Sequence, residues 1–245
     1  MYSDFAKIYD KLMEDVDYPK FVDYYIKIFE KYNVNPKIVL DLACGTGTIT
    51  KLMAQRGYDM IGLDLSVSML DEAKSKSEGL DILYINQDMT DFELYGTVGA
   101  IVSSLDAVNH VVEKEDLARC FKLVNNYLDP MGLFIFDINS EYKIKNILGN
   151  NTFVYDDEDI FYTWQNFYDD ESKICDFVLT FFVKNGSHYE RIDDEYSQRA
   201  YTVDEIKELL EMANLKVLGV FDELSFNAPK EDSERIFFVA QKQST

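Results

Sequence analysis

The segment VLDLACGTG, residues 39–47, leaves an apolar run near Asp41, passes Gly45 and Gly47, and enters a stretch of helical character at once. Glycine at these places removes the Cβ that would hold a ligand off the backbone. The fresh helix N-terminus offers unpaired N–H groups and a positive dipole end. A carboxylate or a phosphate suits such a loop. Seventeen residues past Gly47, Asp64 ends the next apolar run and is followed by Leu65. A carboxylate there can accept hydrogen bonds from both hydroxyls of a ribose, each worth about 1.5 to 3 kcal/mol. Asp88 closes a third run in NQDM. It is placed either to accept from an adenine amino group, with Met89 packed on the ring, or to cap a turn.

Two nucleoside chemistries compete for this loop. A dinucleotide site calls for a third glycine in GxGxxG, and Thr50 stands at that position. Asp41 would also add negative charge beside a pyrophosphate. Beside a cofactor with an ammonium group the same carboxylate is favourable.

DLACGTG, the acid closing the second run and QDM closing the third resemble the class I S-adenosylmethionine-dependent methyltransferases, over residues 37–106. FAKIYDKLMEDVDYPKF near the start, LDAVNH after the fourth run and EYSQRAY before the last helix are similar to small bacterial methyltransferases of the YqeM-like type. The resemblance implies S-adenosylmethionine as cofactor. It implies Ala43, Cys44, Gly45, Thr46 and Gly47 along the methionine and ribose, Asp41 holding the amino group through water, and Asp64 with Leu65 at the ribose. Asp88 and Met89 would frame the adenine. Backbone at Ser104 and Leu105 would meet the methionine amino group, and Tyr9 and Tyr18 would close over the cofactor. Where similar proteins often carry a histidine in the pattern ending QRAY, this chain has Tyr196, so a proton-transfer role does not carry over to that position.

Methyl transfer is an in-line displacement with a good neutral leaving group, so the protein mainly aligns nucleophile, carbon and sulfur. A base is needed only for an acceptor that arrives protonated or must ionise. The candidates are His110, Asp106 and Tyr196. His110 has the most suitable unperturbed pKa, and a lone histidine at a helix start also serves as a structural hydrogen-bonding group. Farther on, Phe153, Tyr155, Phe161, Tyr162, Trp164, Phe167 and Tyr168 lie among many carboxylates. They are either a lid that cradles a cation, at about 0.5 to 2 kcal/mol per cation–π contact, or the core of a small sheet. Trp164 is the candidate acceptor wall. Arg199 either clamps an acceptor carboxylate or pairs with a local aspartate.

The elements that must position these groups follow from periodicity. Phe21, Tyr25, Ile28, Phe29 and Tyr32 predict an amphipathic helix over 18–32, after a break at Pro19 and ended by Pro36. Apolar runs at 37–43, 59–65, 81–88, 99–106 and 131–139 alternate with helical patterns, one starting near Ser66 and the clearest built on Leu117, Cys120, Phe121, Val124 and Leu128. Short apolar strands separated by helices describe a parallel sheet covered on both faces. Four β-rich runs between about 150 and 200 have no helix between them, and Thr202 with Glu205 forms a capping box before the next helix. Two last strands, 215–224 and 234–242, should pair antiparallel.

The expected fold is therefore α/β: a Rossmann-like seven-stranded mixed sheet with a helical cover at 1–35, a body at 36–148 and 200–245, and an antiparallel lid at 149–199. The chain has 245 residues, 47% hydrophobic, with a formal charge of −21. Such an acidic surface repels phosphate backbones, which makes nucleic acid an unfavourable acceptor and favours a small molecule. It also serves solubility. No apolar run reaches the roughly 18 residues of a membrane span. The N-terminus lacks a signal pattern, so a cytoplasmic location is expected. Three widely spaced cysteines fit reduced thiols, and two histidines make a metal site unlooked-for. Methylation of RNA or protein, a non-catalytic S-adenosylmethionine sensor, and nicotinamide redox chemistry are the rival readings.

Overall fold

The computed structural model describes residues 2–244. Helices α1 (Tyr2–Leu12) and α2 (Tyr18–Lys31) come first. Pro19 lies in the first turn of α2, where its missing N–H leaves nothing unpaired, and Asp17 accepts from the Lys20 amide at 3.1 Å. The proline thus opens the helix. The helix stops before Pro36, at Tyr32, and Asn33 then takes left-handed backbone (φ 55°).

The body alternates as its apolar runs predict: β1 (Ile38–Leu42), α3 (Thr48–Gln55), β2 (Asp59–Asp64), α4 (Val67–Lys76), β3 (Ile82–Asn86), β4 (Val98–Ser103), α5 (Lys114–Tyr127) and β5 (Leu128–Asn139). Ser66 caps α4 by accepting from the Met69 amide. The fourth run ends as a strand at Ser103, because Leu105 and Asp106 both adopt left-handed backbone (φ 58° and 56°). A 3-10 turn, Ala107–His110, follows. The fifth strand begins at Leu128, three residues before Met131, and so includes Pro130.

Strands β6 (Thr152–Asp156), β7 (Ile160–Asp169), β8 (Ile174–Asn185) and β9 (His188–Arg199) then form a separate four-stranded antiparallel sheet in sequential order. Before them stands one element the periodicity does not announce, a π-helical turn at Lys143–Leu148. Helix α6 (Val203–Met212) starts on the expected capping box between Thr202 and Glu205. The chain ends in β10 (Leu215–Asp222) and β11 (Arg235–Lys242).

The main sheet has the order β10-β11-β5-β4-β1-β2-β3. Neighbours from β5 to β3 are parallel, and β11 lies antiparallel between β5 and β10. Alternation along β5 sorts its side chains to two faces. Leu133 and Ile135 meet Phe21, Tyr25 and Ile28 of α2, while Phe134 and Phe136 meet Phe121 and Val124 of α5. Each buried phenylalanine contributes about 1.5 to 3 kcal/mol. The chain reverses direction across the sheet between β1 and β4, and ligands bind in the crevice at the carboxyl ends of strands at such a point. The small sheet packs its inner face on Ile8 of α1 and on Ile144 and Leu148 of the π turn. Among the described residues no helix is long and apolar enough to cross a membrane.

Candidate active site

A cavity of about 750 Å³ opens at the carboxyl ends of β1, β2 and β4 and runs beneath the inner face of the four-stranded sheet. Its first wall is the loop after β1. Ala43, Gly45 and Gly47 all have positive φ (63°, 55° and 70°), which wraps the chain tightly before α3. Left-handed backbone at Ala43 costs about 1 to 2 kcal/mol, and strain of this kind clusters at ligand sites. The Gly45 amide donates to Asp64 Oδ2 at 2.8 Å, and the Ser66 amide donates to Oδ1 at 2.8 Å. Both carboxylate oxygens keep a further lone pair for a ligand.

The two glycines do different work. A Cβ on Gly45 would meet nothing within 4 Å, so the space beside it is part of the cavity. A Cβ on Gly47 would lie 2.7 Å from the Tyr84 hydroxyl and 2.8 Å from Ala73 Cβ. Gly47 therefore serves close packing of α3 on its neighbours and does not border the cavity. Ala43, Cys44 and Thr46 do.

Asp41 is 2% exposed and accepts from the Thr50 hydroxyl at 2.5 Å; burial pushes its carboxyl up to about 7. The Asp64 carboxyl is also raised, mainly by burial, with the Ser66 and Gly45 amides opposing the shift. Asp88 holds the Thr90 amide and hydroxyl on Oδ1 at 2.7 and 2.8 Å. It is thus a turn residue, yet it also lines the cavity beside buried Met89 and exposed Leu65, and its other oxygen is available to a donor. A surface without Cβ, acceptor oxygens at the ends of β2 and β3, and apolar rims beside the second acid fit a nucleoside.

The opposite wall comes from the small sheet and the N-terminal helices. Trp164, Leu179 and Asp194 stand in one register row across β7, β8 and β9, and Phe177 pairs with Tyr196 in a neighbouring row. Trp164, Phe177, Asp194 and Tyr196 line the cavity, as do Tyr9 and Tyr18. Burial raises the Tyr9 and Tyr196 phenols, and pushes Tyr18 up to about 12. Such phenols give hydrogen bonds rather than take protons. Trp164 Nε1 is buried with no hydrogen-bond partner among the described residues.

Ser104, Leu105, Asp106 and His110 form the floor. Ser104 shares its hydroxyl with Tyr25 at 2.6 Å. The left-handed turn at Leu105 and Asp106 is held by Asp137, fully buried on β5, which accepts both amides at 2.9 Å. Arg235, at the start of β11, ion-pairs with Asp137 and reaches Asp106 at 2.9 Å. His110 borders the cavity, and the protein around it lowers its pKa by desolvation.

Sequence reading did not find Asp137, Arg235, Asn139, Gln198 or Lys143, all at this floor. An acid inside the apolar strand FIFDIN was the available signal. Arg199 lies elsewhere. Its Nη1 donates to the Val112 carbonyl at 3.2 Å and its guanidinium stands 5.6 Å over the Tyr201 ring. Alternation along β9 turns Arg199 away from the face that carries Tyr196 and Gln198.

The family model of a methyltransferase domain matches residues 39–132, which span β1 to the first half of β5. A putative methyltransferase of Bacillus subtilis (strain 168), YqeM, is 36% identical over 100% of this chain and 98% of its own. The crystal structure of an S-adenosylmethionine-dependent methyltransferase from Clostridium acetobutylicum superimposes with a TM-score of 0.92, at 37% identity and 99% coverage of each chain. An amino pentose methyltransferase from Micromonospora echinaspora, solved with S-adenosylmethionine bound, shares the fold with a TM-score of 0.76 at 16% identity, over 96% of this chain and 97% of its own. The loop and strand-end acids described above, set in this sheet order, make the chain a member of the class I S-adenosylmethionine-dependent methyltransferases, similar over its whole length to the YqeM-like group.

Proposed function

We propose that the enzyme methylates an amino group of a small molecule held between the glycine loop and the small sheet. One observation carries this reading: the glycine-loop wall and an aromatic wall containing the carboxylate of Asp194 enclose the same cavity. S-adenosylmethionine supplies a methyl carbon on a sulfonium that leaves as a neutral thioether. Everything else falls to the protein's own groups. Asp64 grips the ribose, Asp88 and Met89 take the adenine, and Gly45 lets the nucleoside approach the main chain. The Leu105 amide is committed to Asp137, so the carbonyls of this stretch are the groups that receive the methionine ammonium. Trp164, Phe177 and Tyr196 exclude water and present ring faces to a cation. Asp194 accepts from the acceptor N–H, and Tyr9 and Tyr18 close the entrance.

The formal charge of −21 supports a small or cationic acceptor over RNA. The fold shared with an amino pentose methyltransferase points the same way. Release of S-adenosylhomocysteine is the assay, run with small amines, phenols, carboxylates, RNA and basic peptides. Turnover is expected with an amine, and Asp194→Asn should raise its KM about tenfold, the loss of one charged hydrogen bond. Turnover on RNA alone, falling steeply with added salt, would remove the proposal.

A further inference from the structure

Arg235, Asn139, Gln198 and His110 at the cavity floor form a polar chain whose hydrogens can be assigned from one end. Arg235 carries donors alone. Its Nη2 meets Asp106 Oδ1 at 2.9 Å and Asn139 Oδ1 at 3.4 Å, so the Asn139 atom facing it is the carbonyl oxygen. The Asn139 amide nitrogen is then free to donate to Gln198 Oε1 at 3.1 Å. That turns Gln198 Nε2 the other way, where it lies 2.7 Å from Asp106 Oδ2 and 3.1 Å from His110 Nε2.

Asp106 gives the same answer independently. Ion-paired with Arg235, its carboxylate only accepts, so the Gln198 atom 2.7 Å away is the amide nitrogen whichever way Asn139 is turned. One of that nitrogen's two hydrogens goes to Asp106 and the other faces His110. A donor cannot face a second donor. His110 Nε2 therefore carries a lone pair, and the ring hydrogen sits on Nδ1.

We propose that Gln198 is a positioning residue that holds His110 as the neutral Nδ1–H tautomer, so that His110 gives a hydrogen bond within the cavity and does not take the acceptor's proton. Protonating Nε2 would set two donors against each other. Relieving that clash means turning the Gln198 amide, which breaks its bonds to Asp106 and Asn139 together. The groups facing the ring are Asp106 from the loop after β4, Asp64 from β2, and the Tyr196 ring on β9, whose centroid is 5.0 Å away. Both carboxylates favour a charged imidazole, yet desolvation outweighs them. Asp106 has each of its oxygens engaged, by Arg235 and by Gln198. The proton of an amine acceptor accordingly goes to neither His110 nor Asp106. The inference concerns the enzyme alone and stands for any acceptor.

The chain has two histidines, His110 and His188, so a long-range proton–nitrogen spectrum of the full-length 15N-labelled protein contains two imidazoles, and His188→Gln assigns them. At pH 7.5 the His110 spectrum should show a protonated Nδ1 and an unprotonated Nε2. Gln198→Glu places an acceptor where an amide donated; it should move the ring proton to Nε2 and raise the His110 pKa by about one unit or more. An Nε2–H pattern for His110 in the unsubstituted protein overturns the proposal, as does a Gln198→Glu protein with tautomer and pKa unchanged. If Gln198→Glu does not fold, the unsubstituted spectrum decides alone.

Discussion

The Gly45 amide and the Asp64 carboxylate stand 2.8 Å apart in a hydrogen bond that joins the loop after β1 to the end of β2. Asp64 is thus already oriented by main chain on two sides, through Gly45 and Ser66. Preorganisation of this kind lowers the ordering cost of binding.

Replacing that acid should remove most cofactor affinity. Asp64→Ala forfeits charged hydrogen bonds worth about 1.5 to 3 kcal/mol each, which predicts a loss of at least tenfold in S-adenosylmethionine Kd by calorimetry. Unchanged binding in the variant would refute the ribose assignment.

Gly45 and Gly47 should separate binding from stability. Gly45→Ala has room for its methyl group but only inside the cavity. It should cost about 1 to 2 kcal/mol through the left-handed backbone and impair cofactor binding as well. Gly47→Ala pays the same backbone cost and also collides with Tyr84 and Ala73. Its loss of stability should be larger, by about 1 to 3 kcal/mol of overpacking. Denaturant midpoints for both variants, with and without S-adenosylmethionine, test the contrast; equal midpoints would contradict it.

Arg235→Leu leaves the fully buried Asp137 without its cation. Removing one partner of a buried pair costs about 3 to 5 kcal/mol, and the turn at Leu105 and Asp106 loses the group that anchors it. Urea unfolding should show the loss, together with weaker cofactor binding. A surface-like change under 1 kcal/mol would show that Asp137 does not depend on Arg235.

Asp41 gives a pH signature. Its carboxyl is raised to about 7 by burial, against about 3.9 in an unfolded chain. Between these values the folded protein binds the extra proton, so the Asp41 contribution is full below the unfolded value and is lost as pH rises through 7. The Tm of the ligand-free enzyme should therefore fall, relative to Asp41→Asn, from pH 5 to pH 8. Parallel Tm curves for the two proteins would show that Asp41 titrates alike in both states.

The order of elements and the place of three acids at the cavity were legible because both are local. The alternation of strands and helices places Asp41 late in β1, Asp64 at the end of β2 and Asp88 just past β3, and Thr202 with Glu205 marks a helix start. The groups that brace the floor from other strands were not legible in this way. Asp137, Gln198 and Arg235 lie 31, 92 and 129 positions from Asp106, and they meet it only because β11 inserts beside β5 and β9 returns over it. Arg199 was misplaced for a simpler reason: β9 alternates, so it could not share a face with Tyr196. The π turn carrying Lys143 has neither of the two periods that reveal an element.

The placement of β11 has a consequence for the order of folding. Arg235 lies on β11, later in the chain than the other described strands, yet it neutralises Asp137 in the middle of the sheet and secures the turn that floors the cavity. A chain folded as far as β9 without β11 in place exposes the edge of β5 and leaves an uncompensated aspartate there. The floor of the cavity is therefore complete only when β11 has docked beside β5.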